Sequence, residues 1–111
     1  MATGTATLDF GAFPGASDAS IAVTGQAAII AGSLVEAWIR PVATADHSAD
    51  EHMVETFKVI AGNIVAATGF TIYGFSTTPN FGGDSINGSF KITPKNDPRI
   101  YGTWTIAWAW V

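Results

Sequence analysis

The stretch Tyr101-Gly-Thr-Trp-Thr-Ile-Ala-Trp-Ala-Trp-Val111 decides the fold. Gly102, Trp104, Ile106, Trp108 and Trp110 fall on one parity, and Tyr101, Thr103, Thr105, Ala107, Ala109 and Val111 on the other. A β-strand sends successive side chains to opposite faces, so a period of two with the large residues on one face is the signature of a strand. Aromatic and β-branched residues also suit a pleated, half-buried surface. Three of the four tryptophans lie here, and each can bury about 150–250 Å². The stretch is therefore expected to be a central core strand that the rest of the chain covers.

A chain of 111 residues is one domain, and it can bury roughly 60–70% of its unfolded surface. Hydrophobic residues make up 48% and charged residues 13%, against about 25% charged in ordinary globular domains. So little charge predicts that other subunits cover part of the surface. The net charge is −4, and Arg40, Lys58, Lys91, Lys95 and Arg99 are scattered without a basic stripe, which argues against nucleic acid as a partner. Without cysteine there are no disulfides and no thiolate metal sites. Met1 to Thr7 lacks the basic and apolar regions of a secretory signal. No apolar run approaches the roughly 18 residues that cross a bilayer. The expectation is a chain made in the cytoplasm, without membrane insertion.

The other segments are short. Residues 1–18 read as an extended N-terminal arm and loop: Thr5 to Phe10 alternates weakly and fits a short strand or an extended arm, and Gly11 to Asp18 is rich in turn formers, with Phe13-Pro14 as an apolar plug. Ala19 to Thr24 alternates, and Ala27 to Ala31 fits either a helical turn or a buried strand. In Ser33 to Arg40, Val35, Ala37 and Ile39 oppose Leu34, Glu36, Trp38 and Arg40, with Pro41 ending the run. Thr44 to His52 is polar and reads as a loop. Met53 to Thr68 allows two readings. Ser48 with Glu51 mimics a capping box, with Met53, Phe57 and Ile60 on one helical face. Its many β-branched side chains and the Gly62-Asn63 bend favour a strand, which is the expectation adopted. Gly69 to Phe75 is a strand, and Ser76 to Asp97 a long loop with one short arm, Ser89 to Thr93. About six short strands without a convincing helix predict an all-β antiparallel sandwich, residues 1–111 forming one domain with a long loop before the last strand.

The residues that could carry chemistry are few. Asp46, His47, Asp50, Glu51 and His52 are the densest set of metal-ligand types, but the two histidines are five apart and not at the i, i+4 spacing of a helical zinc pair. The segment reads as a solvated acidic loop, and no metal or other cofactor is expected. No nucleophile elbow surrounds any serine, and Gly82-Gly83 lacks the Lys-Ser/Thr of a phosphate loop. An enzyme is not expected. Tyr73, Phe75, Phe81 and Tyr101 could stack on a sugar with Asn80, Asp84 and Asn87 as polar partners, or pack a core edge or an interface. Trp38 and Arg40 are of the types enriched at protein contacts, and Phe10 and Phe13 of the N-terminal arm could engage a neighbour.

Lys58-Val-Ile-Ala61, Thr68-Gly-Phe-Thr-Ile72 and Tyr101 to Trp108 resemble the C-terminal half of H-type lectin domains. That resemblance implies a six-stranded antiparallel β-sandwich assembled as a homotrimer. The loop that would contact sugar there corresponds to Ser76 to Arg99, which is longer and lacks an aromatic–histidine pair. Leu8-Asp-Phe-Gly-Ala-Phe-Pro-Gly15, Val35-Glu-Ala-Trp-Ile-Arg-Pro41, Asp50-Glu-His52 and Gly69-Phe-Thr-Ile-Tyr73 resemble small proteins encoded by tailed bacteriophages. This second resemblance implies a virion setting, such as capsid decoration or a tail or fibre subunit bound to other virion proteins. The resulting expectation is a structural virion component. The alternative is a lectin-like adhesin for host surface carbohydrate, with Tyr73, Asn80, Phe81 and Asp84 as its ligand-binding residues.

Overall fold

The computed structural model describes residues 1–77 and 99–111, together with the backbone of two short strands at 85–86 and 90–91. The strands among the described residues are β1 (Ala2–Asp9), β2 (Asp18–Val23), β3 (Val35–Ile39), β4 (Phe57–Val65), β5 (Gly69–Ser76), β6 (Ser85–Ile86), β7 (Phe90–Lys91) and β8 (Thr103–Trp110). A short helix, α1 (Ala49–Val54), precedes β4. Two three-stranded antiparallel sheets, in the orders β1-β8-β3 and β2-β5-β4, make an all-β fold, and β6 pairs with β7 as a separate hairpin.

The tryptophan-rich strand lies at the centre of its sheet, between β1 and β3. Trp104, Ile106 and Trp108 are buried, and Trp110 is half-buried at the end of the row. They meet Phe70 and Ile72 of β5, Phe57 of β4 and Val23 of β2 in one core, completed by Leu8, Phe10, Ile29 and Ile100. Phe70 meets Trp108 edge-on at 5.5 Å and 77°, which ties the two sheets together through aromatic geometry. The buried indole N–H groups have acceptors: Trp104 donates to the Tyr101 carbonyl at 3.1 Å and Trp110 to Gln26 Oε1 at 2.9 Å.

Two glycines permit the close approach of strands and sheets. Gly4 lies opposite Trp108 in the β1–β8 ladder, and a Cβ there would run into the six-membered ring of that indole. Gly74 of β5 faces Leu8 across the core, so a Cβ would strike the leucine methyl and crowd Phe10 Cζ at 3.2 Å.

Several segments differ from their sequence reading. Where Thr5 to Phe10 allowed a short strand or an arm, a full strand runs from Ala2 to Asp9, in register with β8 from Ala2↔Trp110 to Asp9↔Thr103. Ala27 to Ala31 is neither helix nor strand; turns surround a buried Ile29. The strand reading of Met53 to Thr68 holds from Phe57 to Val65, but Met53 and Val54 are helical, and α1 begins at Ala49, inside the segment read as loop. The capping box decides this. Ser48 Oγ accepts the Glu51 N–H at 3.3 Å, and Glu51 Oε1 accepts the Ser48 N–H at 2.8 Å, which satisfies two donors that a helix start leaves bare. The β-branched residues that argued for strand lie almost wholly beyond the helix end. The Gly62-Asn63 bend is a register shift between Gly62 and Val65, with Asn63 at φ 53°.

Candidate functional site

The polar segment 44–52 packs onto the open flank of β8. Residues Tyr101, Thr103 and Thr105 turn their backbone groups towards the β3 side, but β3 stops at Ile39 and Pro41 has no N–H to continue the ladder. Arg40 N–H gives the Thr105 carbonyl the last backbone bond on this flank, at 2.9 Å. Side chains then replace the missing strand. His52 Nε2 accepts the Thr105 N–H at 2.9 Å. Asp46 Oδ2 accepts both the Thr103 N–H at 2.8 Å and the Thr103 hydroxyl at 2.9 Å. Thr44 Oγ1 donates to the Thr103 carbonyl at 2.8 Å, and His47 Nε2 donates to the Tyr101 carbonyl.

The histidines are therefore not in a solvated loop, as the sequence suggested. Both are 3% exposed and pack on Trp104, His47 stacked at 3.7 Å and 15°, His52 edge-on at 4.9 Å. The carboxylates stay near the surface while the imidazoles go under it. His52 donates from Nδ1 to the Ser48 carbonyl at 2.7 Å and accepts at Nε2, which fixes it as a neutral ring. His47 Nε2 faces a carbonyl, so it must donate there; Nδ1 then faces Glu51 Oε2 at 2.9 Å, a contact that needs a proton between the two groups. The hydrogen bond from His47 holds the Glu51 carboxyl below its ordinary range, with the Ser48 N–H adding to the effect. The Thr103 hydroxyl and then its N–H lower Asp46 in the same way. All four ring nitrogens are occupied by protein partners, and among the described residues no three such side chains converge as a cation would need. This cluster is a structural seal for the sheet edge.

The sequence-predicted interface residues part company. Phe10 is 4% exposed and packs edge-on against Phe57 at 5.5 Å, so it belongs to the core and not to an interface. Its place follows from the Phe10 N–H bond to the Gly102 carbonyl at 3.0 Å, which turns the ring inward just beyond β1. Phe13 is 77% exposed with its ring edge on Tyr101. Trp38 and Arg40 are both exposed on the outer face of the β1-β8-β3 sheet, Trp38 opposite Ala107. A groove of about 410 Å³ separates the unpaired edges of β3 and β4, lined by Val35, Glu36, Ala37, Trp38, Val59, Ile60 and Ala61.

Tyr73, predicted to contact ligand, is exposed at the centre of the outer face of the β2-β5-β4 sheet. With Phe75, Asp18 and Ser20 it borders a hollow of about 490 Å³. Asn80, Phe81 and Asp84 lie outside the described residues. Sequence reasoning missed the rest of this face: Asp18, Ser20, Lys58 and Ile60 converge on Tyr73 and Phe75 through strand register. The alternation in each strand was visible, but which strands are neighbours was not. Comparison with protein-family models, with curated proteins and with solved structures finds no match.

Proposed function

We propose that this chain is a non-enzymatic structural subunit of a bacteriophage particle, with an H-type-lectin-like sandwich, that assembles as a homotrimer and binds neighbouring virion proteins. The observation that carries the reading is exposed apolar surface at and beside β3, where Leu34 is 70% exposed and Trp38 47%. Exposed apolar surface beside a groove lined by Trp38, with Arg40 two residues further along the chain, is what a protein-contact face presents. The sequence resemblance to tailed-phage proteins supplies the virion setting, and two three-stranded antiparallel sheets agree with the six-stranded sandwich expected of the lectin-like family. Binding would then rest on shape and apolar contact. Light scattering on the purified chain gives the mass of a trimer or of a whole number of trimers on this reading, and mass spectrometry of purified particles finds the chain at a fixed copy number. A monomer at all concentrations, or absence from purified particles, contradicts it.

A carbohydrate-binding role is the second reading, and one observation favours it. Tyr73 borders a hollow that also offers a carboxylate, Asp18, and a hydroxyl, Ser20, the combination of stacking platform and hydrogen-bonding groups that holds a sugar ring. Glycan-array binding abolished by Tyr73→Ala would support it; no binding to any glycan would remove it.

A further inference from the structure

The outer face of the β2-β5-β4 sheet carries its charges in one row. Asp18 of β2, Phe75 of β5 and Lys58 of β4 lie side by side in register, with the carboxylate on one flank and the ammonium on the other. The next row is Ser20, Tyr73 and Ile60, and the one after it Ala22, Thr71 and Gly62. Asp18 and Lys58 are both exposed, Lys58 Nζ leaning over the Phe75 ring at 5.1 Å. Tyr73 is 39% exposed and shares the central strand β5 with Phe75, so the middle of the face is an aromatic strip bordered by opposite charges.

This arrangement is self-complementary. A two-fold axis running along β5, between two copies placed face to face, exchanges the flanks. Lys58 of each copy then comes over Asp18 of the other, while Phe75 meets Phe75 and Tyr73 meets Tyr73. A face with the same charge on both flanks could not do this, and neither could one whose charges sat in different rows. We infer that the outer face of the β2-β5-β4 sheet is an isologous contact between two copies of this chain, locked in register by two symmetry-related Lys58–Asp18 pairs. The inference rests on the assembly reading above and adds a second contact to it. Trp38 and Arg40 lie on the opposite sheet, so a three-fold contact made there and this two-fold contact can coexist, and together they close into a hexamer. A copy seated here also covers the hollow beside Tyr73.

The test is charge reversal and re-reversal on the whole chain, read as mass by sedimentation equilibrium. The wild type, Asp18→Lys, Lys58→Asp and the double variant are compared, with circular dichroism verifying the fold. Two-fold symmetry makes each single reversal act at both pairs, so each should weaken the contact on the order of tenfold or more and halve the mass. The double variant should restore the mass. A wild-type hexamer or dimer that responds in this way supports the contact. A wild-type trimer would overturn the two-fold face while leaving the assembly reading intact, and a monomer would overturn both. Single variants that keep an even-numbered wild-type mass, or a double variant that does not recover it, would also overturn the contact, leaving the face to another partner.

Discussion

His52 Nε2 stands where a strand carbonyl would otherwise accept the Thr105 N–H. His52→Ala leaves that donor without its partner beneath Trp104, and an orphaned buried donor costs about 1–3 kcal/mol. Urea unfolding should register a loss in that range, whereas an ordinary surface substitution stays within about 0.5 kcal/mol. A loss within that smaller range would mean the imidazole seals nothing. The neighbouring carboxylates make the fold less stable in acid. Glu51 and Asp46 are held below their ordinary values of 4.5 and 3.8, so on acidification the unfolded chain takes up protons before the folded one. Their contribution is complete above the ordinary values and is lost as pH falls through the lowered ones. Glu51→Gln keeps an oxygen that can accept from His47 but removes the titrating charge. Unfolding midpoints measured from pH 7 down to pH 3 should fall less steeply for this variant than for the wild type; parallel curves would show that the His47–Glu51 contact adds nothing.

At the level of elements, β1 lies flush against β8 because Gly4 leaves room for the Trp108 ring. Gly4→Ala forces the indole or the strand aside, an overpacking cost of about 1–3 kcal/mol. Gly32→Ala, at a position with open space around it, is the control and should change stability by less than about 0.5 kcal/mol. Equal effects from the two would deny the close approach. The same strands show how far sequence alone reaches. The parity of residues 101–111 gave β8 and its buried face directly, because period two needs no partner to be recognised. The helix at Ala49–Val54 was legible only as a capping pair, Ser48 with Glu51, and the β-branched residues downstream outweighed it. The burial of His47 and His52 was not legible at all: it follows from β8 being longer than β3, and the histidines meet it across 54 and 53 residues of chain. The face shared by Asp18, Tyr73 and Lys58 is of the same kind, since strand order and not spacing brings them together.

The molecule as a whole is two sheets closed over one row of tryptophans, with a polar segment sealing the flank that β3 leaves open. Its outer faces differ in kind. One carries Thr3, Thr5 and Thr7 of β1 with Trp38 of β3, and the other an aromatic strip between opposite charges, which is why each is assigned its own partner above. Both assignments depend on β8 being the innermost strand. Native-state hydrogen exchange tests that most directly, because amides of a central strand open only with the whole domain. The account predicts that Thr103 to Trp110 contains the slowest-exchanging amides of the chain, exchanging at the rate of global unfolding. Amides in this stretch that exchange as fast as those of the exposed turns around Ala27 to Ala31 would contradict it.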